Sequence, residues 1–345
     1  MNICFLMYSW EKVVPESDTT LRIIHECVRR GHRVAITHPN NLTIRHSATH
    51  AFCKIIQPQE KDTRDTERFF RKIEFKEQML PLSGFDAIFM RVNPPLDPIM
   101  LNFMDSVKND TFILNTVDGL RRASNKLYTA AFHESCREFI PVTHVSKNKD
   151  YLRRIIEESD QERMILKPLN GLAGRGVIVI EKHARQNVKS LLHFYVDGTA
   201  GSSGSNYVIL QEYIEGAEAG DVRILMLNGE AIGAMRRVPA EGDFRSNIHA
   251  GGQAVKHVLT PEERRLCRKI GPKLVADGLY FVGLDVVNGK LLEVNVCSPG
   301  GITRINRLNR MRLQELVVDF IEDEVAQRES AAQRKSRLRA EVAQA

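Results

Sequence analysis

The chain opens on an unbroken apolar run, Ile3 to Met7, of the length of a strand buried on both faces. After a polar loop, Leu21, Ile23, Ile24 and Cys27 recur at helical spacing, with Ser17 or Asp18 placed to cap the start and Gly31 to end it. HRVAITHP is a second strand, and strand, helix, strand in that order is the unit from which a layered parallel sheet is built. Two more strands follow in FDAIFMRV and TFILNT, so about the first 120 residues form an α/β domain. The polar stretch from Asp62 to Glu77 fits a helix or an excursion equally well.

DGLRRASNKLYTAAFHESC then has the spacing of a helix, and Lys149 to Glu158 that of another. Beyond them the rhythm changes. RMILKPL, GVIVIE, YVILQEYI, DVRILMLNGEAIGAMRRV and YFVGLDVVNGKLLEVNV are strand-forming, and Asn228-Gly229 and Asn288-Gly289 are pairs that suit tight hairpins. This half is expected to be predominantly antiparallel. TPEERRLCRKIGPKLVADG adds a helix with Thr260 as cap and Pro261 at its first position, and RLQELVVDFIEDEV adds another. The small, polar stretch from Gly198 to Asn206 is expected to be a surface connection.

At 345 residues the chain can bury more than one core. Its formal charge of +6 could reflect acidic ligands, but half of it sits in a tail from Gln327 to Ala345, where Arg328, Arg334, Lys335, Arg337 and Arg339 face Glu329 and Glu341. A solvated helix explains that tail better than nucleic-acid binding does. The six cysteines show no CxxC pair and read as reduced, buried thiols. With no long apolar segment and no basic leader, the expected compartment is the cytoplasm, away from membranes.

Two segments carry candidate chemistry. Lys167 closes the strand-like ILK and precedes PLNGLAGRG, in which Gly171, Gly174 and Gly176 can turn backbone N–H groups toward anionic oxygens. A glycine-rich hairpin turn accounts for the same residues. Downstream, Glu293 and Asn295 lie two apart on one strand and share a face, and the hairpin at Asn288-Gly289 can return them beside Asp285. Such hard oxygen donors suit magnesium carrying nucleotide phosphates. A solvated hairpin edge would explain the charges, though less well on a strand otherwise written in Leu and Val.

In their order, MRVNPPLD, SNKLYTAAF, ILKPLNGLAGRGV, QEYIEGAEAGDVRIL, RRVPAEGDFRSNIHAGG, VGLDVV and LEVNVCSPGG make the chain resemble the bacterial glutathione synthetases of the ATP-grasp superfamily. The resemblance implies an α/β and α+β chain: an ATP-grasp fold preceded by an N-terminal pre-ATP-grasp α/β domain. Its implied parts are a substrate domain (1–122), a central lid subdomain (123–208), a catalytic subdomain (209–326) and a basic helical or disordered tail (327–345). Lys126 and Lys167 would contact nucleotide phosphates under the loop from Gly171 to Gly176, with Glu212, Tyr213 and Ile214 along the adenine and Asp221 near the ribose. Asp285, Glu293 and Asn295 match the magnesium set, with manganese a substitute. Arg223 and Arg237 match positions near the transferred phosphate and the activated carboxylate, and Arg245, Asn247 and Ser298 the substrate side. The glycine-bearing segment from Val238 to Gln253 would act as a lid.

The implied reaction joins γ-glutamylcysteine to glycine through an acyl phosphate, with release of ADP and phosphate, in a homo-oligomer such as a tetramer. Where the family pattern continues TSPTGIREI, this chain has CSPGGITRIN, which changes a loop expected to meet the peptide. A second reading is therefore an ATP-grasp peptide or amino-acid ligase with a different acceptor. A third is a catalytically silent ATP-binding regulator, against which the retained lysines and metal set weigh.

Overall fold

The computed structural model describes residues 1–58, 65–132, 134–169, 176–198, 206–240 and 252–343. Gly171, Gly174, Arg245, Asn247 and residues 241–251 of the expected lid lie outside them. The chain divides into two compact units, one of residues 1–121, 275–281 and 297–345, the other of 122–274 and 282–296.

In the first unit β1 (Asn2–Met7) leads into α1 (Thr19–Arg29) and β2 (Arg33–Thr37). Asp18 is the cap, its carboxylate accepting from the Leu21 N–H at 2.8 Å, and Gly31 follows the last turn. β3 (Leu42–Arg45), β4 (Ala48–Ile56), α2 (Thr66–Lys72), β5 (Phe75–Pro81), β6 (Ala87–Arg91), α3 (Pro98–Asp105) and β7 (Phe112–Leu114) complete the sheet region, and α4 (Val117–Ala123) leaves it. The strand order is β3-β4-β2-β1-β6-β7, with β5 paired to β4. β2, β1, β6 and β7 run parallel, whereas β3, β4 and β5 form an antiparallel edge, so the sheet is mixed rather than purely parallel. The described part of the ambiguous polar stretch resolves into α2 and the edge strand β5, whose Lys76, Glu77 and Gln78 are consecutive and exposed. Ile3 to Met7 are fully buried, as an apolar central strand requires.

The run expected as one helix after Asp118 is broken. α4 ends at Ala123 and α5 spans only Leu127–Ala130, because the Asn125 side-chain carbonyl accepts from the Leu127 N–H at 3.0 Å in place of a helical bond. Lys126 sits at that break.

The second unit holds two sheets. β8 (Thr143–Ser146), α6 (Lys149–Glu158), β9 (Arg163–Pro168), β10 (Ile178–Glu181), α7 (Val188–Asp197) and β11 (Val208–Glu212) build an antiparallel sheet ordered β10-β9-β11-β8. Leu152 and Ile156 of α6 and Leu192 and Val196 of α7 bury against Leu166 and Leu210, and each such side chain contributes roughly 1.5–3 kcal/mol.

β12 (Asp221–Leu227), β13 (Glu230–Val238), β14 (Gln253–Lys256), α8 (Pro261–Ala276), β15 (Phe281–Val287) and β16 (Lys290–Asn295) supply the other sheet, ordered β14-β13-β12-β15-β16. Both hairpins turn as expected on left-handed pairs, Asn228 and Gly229 at φ 46° and 81°, Asn288 and Gly289 at 45° and 72°. Thr260 and Glu263 cap α8 reciprocally. The chain then supplies α9 (Ile302–Asn309) and α10 (Leu313–Ala343) to the first unit. The last turns of α10 carry the basic residues of the tail, largely exposed.

Candidate active site in the second unit

Asp221 and Arg223 are two apart on β12 and face the same way. Asp221 lies opposite Arg237, and Asp285 opposite Glu293. Both pairings depend on β-bulges, between Leu225 and Met226 in one hairpin and between Asp285 and Val286 in the other. Counting back from the turns without them would place Arg236 and Leu292 at these positions.

The result is a buried, alternating cluster of charge. Arg223 grips Asp285 with two bonds, Nε at 2.5 Å and Nη2 at 3.0 Å, while Arg237 reaches Asp285 at 3.0 Å and holds both oxygens of Asp221. Asn295 donates its Nδ2 to Asp285 at 3.0 Å. Burial alone would push the Asp285 carboxyl up; the two guanidinium groups outweigh it and hold it at about 2. Burial likewise works against the charge of Arg237, but Asp285 and Asp221 raise its pKa above the usual arginine value. Lys126 Nζ lies 3.0 Å from Glu293.

Lys167, on β9, is only 9% exposed. Burial lowers its ammonium to about 8, a shift moderated by Glu293 and reinforced by Lys126. Its Nζ donates to the Gln211 side-chain carbonyl at 2.9 Å, Gln211 Nε2 donates to Thr143 Oγ1 at 2.8 Å, and that hydroxyl donates to the Pro141 carbonyl at 2.7 Å. The chain of bonds has one consistent direction. Because the Thr143 proton is committed to Pro141, its oxygen must accept, which turns the Gln211 amide so that oxygen faces Lys167. Sequence reading passed over Gln211 and Thr143, since only the pairing of β11 with β8 and β9 joins them to Lys167. A carboxylate in place of that neutral acceptor should keep Lys167 charged at higher pH. In Q211E the proton taken up on nucleotide binding near pH 9 should disappear, as read by titration calorimetry in buffers of different ionisation heat.

Of the remaining expected residues, Glu212 bonds the Val142 N–H through Oε1 at 3.0 Å. Tyr213 lies under the Arg163 guanidinium at 3.9 Å, and the Ile214 carbonyl accepts from Ala217. The Gly176 carbonyl accepts from the Tyr195 hydroxyl. Asp221, expected near the ribose, has its carboxylate engaged by Arg237. Ser298 belongs to the first unit, in a loop whose Pro299 carbonyl accepts from Arg91 Nη2 at 3.0 Å. Arg91 ends the strand FDAIFMRV and falls in the motif MRVNPPLD, and the sequence alone assigns it no role. It is 1% exposed, its guanidinium lies over Phe89 and Phe281, and its Nη1 has no hydrogen-bond partner among the described residues.

The donor chemistry fits a hard divalent ion: Asp285, Glu293 and Asn295 offer carboxylate and amide oxygens from facing strands. Among the described residues no three His, Cys, Asp or Glu side chains form a metal cluster, so the assignment requires Asn295 as the third donor. Around these acids the structure sets Lys126, Arg223 and Arg237, cations that can turn to phosphoryl oxygens when a metal takes the carboxylates.

Two antiparallel sheets with a buried lysine on one and acid–amide strands on the other, preceded by an α/β domain, define the ATP-grasp fold of carboxylate–amine ligases. Residues 1–121 match the prokaryotic glutathione synthetase N-terminal domain and 125–310 the ATP-grasp domain of the same enzymes. The chain is 33% identical over 330 residues to glutathione synthetase of Gloeobacter violaceus, covering 93% of this chain and 96% of that one. It is 34% identical over 332 residues to that of Synechocystis sp., covering 93% and 99%. The chain belongs to the prokaryotic glutathione synthetase family. Its fold is shared with D-cycloserine synthetase DcsG (TM-score 0.59, 14% identity, 93% of this chain and 100% of that one). It is also shared with a RiPP-associated ATP-grasp ligase of Chryseobacterium gregarium (TM-score 0.60, 13%, 94% and 97%).

Proposed function

We propose that the protein is a glutathione synthetase, joining γ-glutamylcysteine to glycine at the expense of ATP. The observation that carries this reading is the cluster of Lys126, Lys167, Arg223, Arg237, Asp285, Glu293 and Asn295 within one unit of a chain matched over 93% of its length by glutathione synthetases. Lys126 and Lys167 would hold the phosphates, Asp285, Glu293 and Asn295 would hold magnesium or manganese, and the ion would neutralise charge on the phosphoryl oxygens. Glu212, Tyr213, Ile214 and Asp221 line the nucleotide's other end, while Gly171, Gly174, Gly176, Arg245, Asn247 and Ser298 serve the phosphate loop and substrate side. Residues 123–208 and 209–326 then act as lid and catalytic subdomains and 1–122 as the substrate domain, in a cytoplasmic homo-oligomer.

A carboxylate oxygen of the dipeptide attacks the γ-phosphorus and the bond to ADP breaks. The glycine amine attacks the resulting acyl carbon, phosphate leaves with the bonding electrons, and the amine loses its proton. Arg223 and Arg237 stabilise the charge that develops on the phosphoryl and tetrahedral oxygens. No enzyme nucleophile is needed.

The second reading, a ligase with another acceptor, is favoured by one feature: the substrate-side loop has the glycine pair Gly300 and Gly301. Gly301 has φ 133°, a conformation glycine favours, and its N–H donates to Thr19 Oγ1 at 3.1 Å. A screen crossing γ-glutamyl dipeptides with amino acids separates the readings. The expected outcome is the highest specificity constant for γ-glutamylcysteine with glycine; a tenfold preference for another pair, about 1.4 kcal/mol, would reject glutathione as the product.

A further inference from the structure

The first unit contains a cavity of about 330 Å³ walled by α1, α9 and the turn before α10, and none of the nucleotide or metal residues lies in it. Its rim is rich in guanidinium: Arg22, Arg29, Arg307 and Arg312. One carboxylate, Glu26, faces them, and it is already shared by Arg29 at 2.7 Å and Arg30 at 3.0 Å, with Arg312 at 3.9 Å. Arg312 is further paired with Glu315 at 2.8 Å. Arg22 and Arg307 have no carboxylate within ion-pair distance among the described residues. Arg22 Nε donates to the Thr303 hydroxyl at 3.3 Å. Glu67 and Asp65 attract Arg22 only from further away. Partial burial and repulsion from Arg307 lower the pKa of Arg22, and the same two causes act on neighbouring Arg304.

Folding places Arg22 and Arg307 beside the paired Arg29 and Arg312 in a concave site, with no carboxylate of the described residues within ion-pair distance of the first two, and guanidinium forks match the oxygen pairs of phosphate and carboxylate. We propose that this cavity binds a small oxyanion bearing two or more negative charges, a phosphate ester or a polycarboxylate, at a site separate from that of ATP. The volume is in the range of small-molecule sites. Arg22 and Arg307 bind the anion directly, and Thr303 orients Arg22.

The test uses the full-length protein and R22Q/R307Q. Inorganic phosphate and citrate are titrated separately at constant ionic strength set with sodium chloride, read by calorimetry and by the thermal midpoint. Saturable binding in the wild-type protein should weaken by about tenfold or more in R22Q/R307Q. Binding of Mg-ATP should stay unchanged in that variant, which separates this site from the nucleotide's. A response to phosphate but not citrate assigns the site to phosphoryl compounds, and the reverse to polycarboxylates. Since the substitutions remove repulsion, the ligand-free variant should melt no lower than wild type. Equal anion responses in both proteins, no saturable response in either, or a marked loss of stability in the ligand-free variant would each overturn the proposal.

Discussion

K167M should bind Mg-ATP tens to about a hundredfold more weakly than the wild-type protein, the loss of a charge-assisted bond worth roughly 1.5–3 kcal/mol. It should do so without unfolding. Holding Lys167 buried with its ammonium lowered from 10.5 to about 8 corresponds to roughly 3 kcal/mol against the charged folded form. The folded-state value lies below the unfolded one, so the unfolded chain binds this proton more tightly. The penalty is complete below about pH 8, shrinks as the pH rises toward 10.5, and is absent above it. Wild-type stability should therefore rise relative to K167M between those limits, measured by urea unfolding at a series of pH values. Between them, too, phosphates arriving beside Lys167 should draw a proton onto it, so ATP binding should take up protons in the wild type and none in K167M. Parallel stability curves, or unchanged nucleotide affinity in folded K167M, would contradict the placement of this lysine.

D285N should be the most destabilising single change in the site, by about 3–5 kcal/mol, because it leaves Arg223 and Arg237 buried without their shared carboxylate. Magnesium dependence of nucleotide binding should weaken with it. A second signature lies at low pH. With the carboxyl held at about 2 against an ordinary 3.8, Asp285 contributes roughly 2 kcal/mol, fully present above pH 3.8 and lost as the pH falls through 2. The stability gap between wild type and D285N should narrow by roughly 2 kcal/mol over that window. A D285N protein as stable as wild type would mean that the arginines find other partners.

Much of this site was legible in the sequence because the hairpins have their turn chemistry written locally. Asn288-Gly289 fixes where β15 ends and β16 begins, so Asp285, Glu293 and Asn295 had to return to one neighbourhood. Which residues face each other was not legible. One extra residue in each partner strand decides that Arg237 rather than Arg236 meets Asp221, and that Glu293 rather than Leu292 meets Asp285, and a bulge leaves no compositional mark. Helical periodicity likewise concealed the break at Lys126, since Asn125 is compatible with a helix until its side chain finds Leu127. The support of Lys167 by Gln211 and Thr143 joins three strands and has no local signature at all. In the first unit the parallel strands announced themselves by continuous apolar runs, while the edge formed by β3, β4 and β5 carries too many polar positions to stand out.

If ATP activates a peptide carboxylate for attack by an amine, a carboxylate oxygen must leave with the phosphate, and labelling it follows the reaction. γ-Glutamylcysteine labelled with heavy oxygen in the cysteinyl carboxylate is incubated with the protein, ATP, magnesium and glycine, and phosphate and peptide products are weighed by mass spectrometry. The released phosphate should carry a labelled oxygen, and glutathione should appear in step with ADP. Release of unlabelled phosphate without a peptide product would contradict that activation.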